Sequence, residues 1–152
     1  MRVSEIKVHL CPANAGRLKA FCSLTFDDAL VVRDVKVIGG DDGLFLAMPS
    51  RKLQDHCPRC REKNHLKARF CNDCGMRLAE HRHERYRLGP TRLKLHSDIA
   101  HPINVAMRTH LEHEVFSAYE REVECSQQPG YVPLPMDTDV PELVFGLKTG
   151  AA

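Results

Sequence analysis

The sequence predicts an α+β chain: a small antiparallel β-sheet wound as a meander, one C-terminal helix, and a zinc ribbon between them. Three observations predict it. Residues 3–48 hold four short runs of alternating or β-branched residues separated by turn residues. Residues 104–124 carry apolar side chains at helical spacing. Between these blocks stand two C-x2-C pairs, Cys57/Cys60 and Cys71/Cys74, with ten residues between them.

In residues 3–10, Ile6, Val8 and Leu10 share one face and Glu5, Lys7 and His9 the other, as in a half-buried strand. Pro12 to Gly16 makes a turn, with Asn14 and Gly16 tolerant of positive φ. Residues 17–26 alternate again, Leu18, Ala20, Cys22, Leu24 and Phe26 facing inward. Asp27-Asp28 turns the chain into residues 30–38, whose β-branched run marks a central strand. Gly39 to Gly43 forms a loop, and Leu44 to Met48 a fourth strand ended by Pro49. This meander has an apolar face that needs a cover. The helix supplies it: Asn104 is the N-cap, and Met107, Leu111, Val115, Ala118 and Tyr119 recur three and four apart up to about Glu124. Residues 125–152 hold Pro129, Pro133, Pro135 and Pro141 and read as a flexible C-terminal tail, in which Leu143-Val144-Phe145 is apolar enough to dock.

The four cysteines predict one structural Zn2+ per chain. Zinc accepts four thiolates as a closed tetrahedron, and each C-x2-C pair can wrap one edge while its backbone turns. Gly75 suits the turn after the second pair, and Phe70 is placed to cover the site from water. Four ordinary buried or redox-active cysteines are the competing reading. Cys11, Cys22 and Cys125 stand apart and are read as small apolar residues. His56, His65, His81 and His83 lie near the cluster, but four well-spaced cysteines require no histidine, and His81-Arg-His83-Glu reads as a polar part of the returning arm.

At 152 residues the chain is one domain, or a small domain with a module. Its formal charge is only +2, yet residues 51–96 hold thirteen Lys or Arg against five Asp or Glu, a local +8. Four thiolates on one Zn2+ reduce this to about +6. The N-terminus has no apolar run of a signal peptide, and no stretch reaches the ~20 apolar residues of a membrane span. Paired C-x2-C motifs without secretion signals point to a reducing cytoplasm and to metal.

Catalysis is not expected. A zinc deaminase needs H-x-E before P-C-x-x-C, whereas His110-Leu-Glu112 follows the cysteines and Pro58 follows Cys57. There is no H-E-x-x-H, phosphate-binding glycine loop or activated serine pattern.

The flanking blocks carry specific motifs: Gly16-Arg-Leu-Lys-Ala20, Val31-Val-Arg-Asp-Val-Lys-Val-Ile38, Gly43-Leu-Phe-Leu-Ala-Met-Pro-Ser50, and Asp98-Ile-Ala-His-Pro-Ile-Asn104 with Arg108 and Tyr119. Together they resemble the bacterial SpoVG (septation and sporulation regulator) family over residues 1–52 and 97–124. In that family a short hairpin joins the two blocks, so residues 53–96 stand as an inserted zinc-ribbon module. The resemblance implies a homodimer that regulates gene expression by sequence-tolerant binding of DNA or RNA. It implies nucleic-acid contacts at Arg51, Lys52 and Arg108, while Ser97 and His110 stand where the family usually has basic residues.

The module adds its own cations. Arg59, Arg61, Lys63, Lys67, Arg69 and Arg77 are interleaved with the zinc ligands, and Arg82, Arg85, Arg87, Arg92 and Lys94 follow. A metal-stapled hairpin bearing cations suits phosphates, which give salt-dependent and largely sequence-blind affinity. Aromatic residues are only 6%, which favours backbone contacts over base stacking. The rival readings are an adaptor whose ribbon recruits a partner protein, and a purely structural role.

Overall fold

The computed structural model describes residues 1–135, which form two compact units. The first comprises Met1–Ala47 and the chain from Ile103 onward; the second is Met48–Pro102.

In the first unit, β1 (Val3–Leu10), β2 (Leu18–Phe26), β3 (Leu30–Gly40) and β4 (Gly43–Ala47) form one antiparallel sheet in sequential order. Register follows side-chain alternation: Ile6 faces Leu24, Val8 faces Cys22, and Leu10 faces Ala20. Asp27 and Asp28 turn between β2 and β3 with φ of 50° and 54°, the positive pair that matches strand twist in a hairpin. Ser4 supports that turn by accepting from the Asp28 N–H through Oγ at 3.0 Å. The expected Gly39–Gly43 loop is tighter than its composition suggests. Gly40 pairs with Gly43, so both glycines belong to strands and only Asp41-Asp42 are left to turn.

The alternation of β3 breaks once. Cys22 faces Val35 but Leu24 faces Val32, so Arg33-Asp34 forms a β-bulge with Asp34 at φ 59°. The bulge resets the inward face, which is how Val35 and Val37 come to be fully buried. Aspartate tolerates this left-handed geometry better than a β-branched residue. Asp34→Val is therefore expected to destabilise the sheet by about 1–2 kcal/mol, and Asp34→Gly to leave it close to wild type. Chemical-denaturation midpoints compare the two; equal losses would remove the backbone explanation.

The helix α1 (Val105–Ser126) covers the sheet against β1 and β4. Asn104 caps it, Oδ1 accepting from the Met107 N–H at 2.8 Å. Leu111, Val115 and Ala118 are buried with Val8, Ala20, Cys22, Leu24, Phe26, Val35, Val37 and Leu46. Burial pushes the Cys22 thiol up to about 12, in keeping with a small apolar core residue. The helix runs through Cys125 and Ser126, two residues into the stretch expected as tail. Beyond it the chain turns back: the Tyr131 hydroxyl donates to the Glu122 carboxylate, and His9 Nδ1 lies 3.2 Å from the Leu134 carbonyl. Leu143-Val144-Phe145 lies outside the described residues. Among the described residues, no helix is long and apolar enough to cross a membrane.

In the second unit, β5 (Ser50–Lys52) pairs antiparallel with β10 (His96–Asp98), so the intervening chain leaves and returns at the end of a hairpin stem. Inside it, β6 (Gln54–His56) pairs with β7 (Lys63–His65), and β8 (Arg87–Leu88) with β9 (Arg92–Leu93).

Candidate metal centre

The two C-x2-C segments fold as twin knuckles. In the first, the Arg61 N–H donates to the Cys57 carbonyl at 3.0 Å and the Cys57 N–H to the Glu62 carbonyl at 2.8 Å. In the second, the Gly75 N–H donates to the Cys71 carbonyl at 3.1 Å and the Cys71 N–H to the Met76 carbonyl at 2.9 Å. Arg61 and Gly75 occupy equivalent places, with φ of 66° and 70°. Glycine takes this conformation freely, whereas an arginine holds it at a cost of about 1–2 kcal/mol.

The knuckles bring all four sulfurs within 4.8 Å of one another. Cys57 and Cys74 sulfurs lie 3.7 Å apart, and Cys60 and Cys71 sulfurs 3.5 Å. A tetrahedron with metal–sulfur bonds of ~2.3 Å has edges of roughly 3.8 Å, so a metal ion fits the four thiols with little movement. All four donors come from the protein, which leaves no position for a reacting water. Cys57 and Cys71 are buried, and Leu78, Ala68 and Met76 pack against the cluster.

Backbone and side-chain donors already favour thiolate here. Cys71 is held down to about 6, chiefly by the Cys74 backbone N–H, with the Asp73 N–H and the Asn64 amide adding to it. Cys57 is lowered chiefly by the Cys60 N–H, with the Arg59 N–H adding to it. Cys60 goes the other way. The Glu62 N–H opposes the rise, but burial and the neighbouring sulfurs push its thiol up to about 12. Four crowded sulfurs cannot all ionise without a cation among them.

Two residues that motif spacing does not reveal hold this centre together. Asn64 is fully buried and bridges the knuckles. Its Nδ2 donates to the Glu62 carbonyl at 3.0 Å and to the Cys71 sulfur at 3.4 Å, while its Oδ1 accepts from the Asn72 N–H at 2.9 Å. Arg82 was expected among the surface cations and is instead buried, only 9% exposed. Its guanidinium pairs with Asp55 and donates to the Ala68, Ala79 and His65 carbonyls. Four acceptors converge there, so the charge is consumed by folding rather than presented to a ligand.

The cover expected from Phe70 is also replaced. Phe70 is 57% exposed and makes a bridge with Arg77 beside the second knuckle, while Leu78 takes the buried place. Phe70 lines a groove of about 630 Å³ with Leu66, Ala68 and Leu78, rimmed by Lys67, Arg69 and Arg77. His56 is not among the side chains that converge on the four sulfurs, and its Nδ1–H donates to the Arg61 carbonyl at 2.8 Å.

The cationic positions are distributed as follows. Arg59 and Arg61 are exposed on the first knuckle, Lys67 and Arg69 on the chain that joins the knuckles, and Arg51 and Lys52 on β5. Arg108 is exposed on α1 in the other unit, but its guanidinium is engaged, donating to the Leu46 carbonyl at 3.2 Å and lying 3.3 Å from Glu112.

Comparison with known proteins places this architecture. The SpoVG family profile matches residues 1–121. A Bdellovibrio bacteriovorus protein is 37% identical over 123 residues, 81% of this chain and 77% of its own length. An Alkaliphilus oremlandii protein is 34% identical over 121 residues, covering 80% and 88%. An Anaeromyxobacter protein is 30% identical over 138 residues, covering 91% and 97%. All three bear the name "Putative septation protein SpoVG". The matched residues take in the sheet, the stem, the cysteine-bearing segment and most of the helix, and this chain is a member of the SpoVG family.

Proposed function

We propose that this chain is a cytoplasmic nucleic-acid-binding regulator, sequence-tolerant towards DNA and RNA, whose inserted module is stapled by one structural Zn2+ at Cys57, Cys60, Cys71 and Cys74. The observation that carries this reading is Arg61. The twin knuckle has a strain-free Gly75 at the equivalent place, yet here the backbone holds an exposed arginine at positive φ. A cation kept at a conformational cost marks a position where its charge is used. The surrounding balance agrees. Arg77–Glu80, Arg82–Asp55 and Arg87–Glu84 ion pairs occupy three of the thirteen cations and three of the five carboxylates of residues 51–96, leaving ten against two. That excess faces anions, and phosphates bind it without base readout.

On this reading the protein binds rather than catalyses, since the closed thiolate set offers no open metal position. Septation, which names the relatives, is the process its regulation would serve. A homodimer is part of the proposal. Leu30, Val31, Leu44 and Phe45 are exposed large apolar residues on the first unit, and β1 and β4 are edge strands there. Sedimentation at micromolar concentration is expected to give twice the chain mass; a monomer would count against it.

The groove beside Phe70 favours a second reading, an adaptor whose ribbon recruits a partner protein. Titration of labelled DNA and RNA oligonucleotides separates the two. Binding by the full chain that weakens steeply with salt, and that weakens when residues 53–96 are replaced by a short turn, supports the regulator. Absence of binding in both proteins supports the adaptor.

A further inference from the structure

The module carries a second cluster of metal-binding side chains that the four cysteines do not use. His81, His83 and Glu84 place one nitrogen or oxygen donor each within 4.8 Å of one another. Arg82 explains the convergence. Its buried guanidinium is fastened to Asp55 and to three carbonyls, which pins the backbone between the two histidines to the knuckles. His81 enters the following 3-10 turn at φ 61°, and its ring lies 5.9 Å from that of His83, centroid to centroid, at an interplanar angle of 51°.

The third donor is aimed. Arg87 holds Glu84 through Oε2 alone, its Nε at 2.8 Å and Nη2 at 2.6 Å. The other oxygen, Oε1, is left facing His83 Nε2 at 3.4 Å. Metal bonds of ~2.1 Å to nitrogen and oxygen separate tetrahedral ligands by roughly 3.4 Å, so this edge is already set. The Arg87 contact plays the part of the outer hydrogen bond that orients a ligating carboxylate. The same contact is the main reason the Glu84 carboxyl is held below its usual range.

We propose that His81, His83 and Glu84 form a second metal site, open to solvent, which binds a borderline divalent cation through two imidazole nitrogens and one carboxylate oxygen. Water completes the coordination, and rotation of the exposed His81 closes the remaining gap. The donor set suits Zn2+, Cu2+ or Ni2+, unlike the all-thiolate centre. The two sites differ in kind: one is closed by four protein donors, the other has three protein donors, is partly exposed and is exchangeable.

Equilibrium dialysis of the full chain against Zn2+ alone tests the proposal, followed by a brief wash with a weak chelator. Two zinc ions per chain are expected before the wash and one after it. The His81→Ala/His83→Ala variant should hold one throughout. Co2+ loading separates the sites independently, because thiolate-to-metal absorption reports only the cysteine centre. Glu84→Gln keeps both imidazoles and should weaken the second zinc at least tenfold while leaving the thiolate signal unchanged. One zinc per wild-type chain, or a second zinc that persists in the double histidine variant, would overturn the site. Loss of the thiolate signal with the second zinc retained would instead count against the cysteine centre alone.

Discussion

Cys71→Ser is expected to abolish metal binding at the four-cysteine centre and unfold residues 53–96 while sparing the four-stranded sheet. Cys71 joins several contacts of the centre: its sulfur faces Cys60 and accepts from Asn64, and its backbone closes the second knuckle. The module has little else to hold it, because its buried residues are Cys57 and Cys71 with Leu66, Leu78, Asn64 and Arg82. Structural zinc in small modules supplies about 10–16 kcal/mol at neutral pH, more than so small a core can replace. Limited proteolysis should cut within residues 53–96 of the variant and leave a sheet-and-helix fragment protected. Cys57→Ser should behave alike. A variant that stays protease-resistant and loses no metal would refute a structural role for the cluster.

Arg82→Ala should give the next largest loss. Removing one partner of a buried pair leaves the other charge uncompensated, typically at 3–5 kcal/mol. Asp55 is 22% exposed at its side chain, so the lower end, about 3 kcal/mol, is expected here. The Ala68, Ala79 and His65 carbonyls are left without their donor at the same time. Thermal unfolding of the zinc-loaded protein measures this. Arg85→Ala, at an exposed neighbour, should change little and serves as the comparison. Equal effects of the two would mean that Arg82 is not the anchor its contacts describe.

The sheet and helix were legible in the sequence because their periods are simple. Alternation placed Val8, Ala20, Cys22, Leu24 and Phe26 in the core, and spacing of three and four placed Leu111, Val115 and Ala118 over them. The bulge at Asp34 was not legible, since one inserted residue in a β-branched run leaves no compositional mark. The cysteine cluster was legible from spacing alone. What surrounds it was not. A lone Asn64 and one arginine among thirteen cations carry no signature of burial, so Arg82 read as surface charge. Phe70 read as a cover because aromatic residues are usually buried, but its bridge to Arg77 sends it outward and Leu78 fills the space. Arg61 was the one subtle feature within reach. Aligning Cys57-Pro-Arg-Cys60-Arg61 with Cys71-Asn-Asp-Cys74-Gly75 sets an arginine against a glycine, the pair that the two knuckles place in the same left-handed geometry.

The central claim is that the exposed cations of the knuckles meet phosphates. The salt dependence of nucleic-acid affinity tests it most directly, comparing wild type with the Arg59→Gln/Arg61→Gln/Lys67→Gln/Arg69→Gln variant in its zinc-loaded form. Each cation–phosphate pairing removed should lower the slope of log affinity against log salt by roughly 0.7 for single strands and 0.9 for duplexes. Four such pairings therefore predict a decrease of about 3 for single strands and about 3.6 for duplexes, similar for oligonucleotides of unrelated sequence. The separate Arg51→Gln/Lys52→Gln/Arg108→Gln variant should lower the slope less, because Arg108 is already engaged by Leu46 and Glu112. A quadruple knuckle variant that retains zinc, wild-type affinity and wild-type slope would contradict the account and return the module to partner binding.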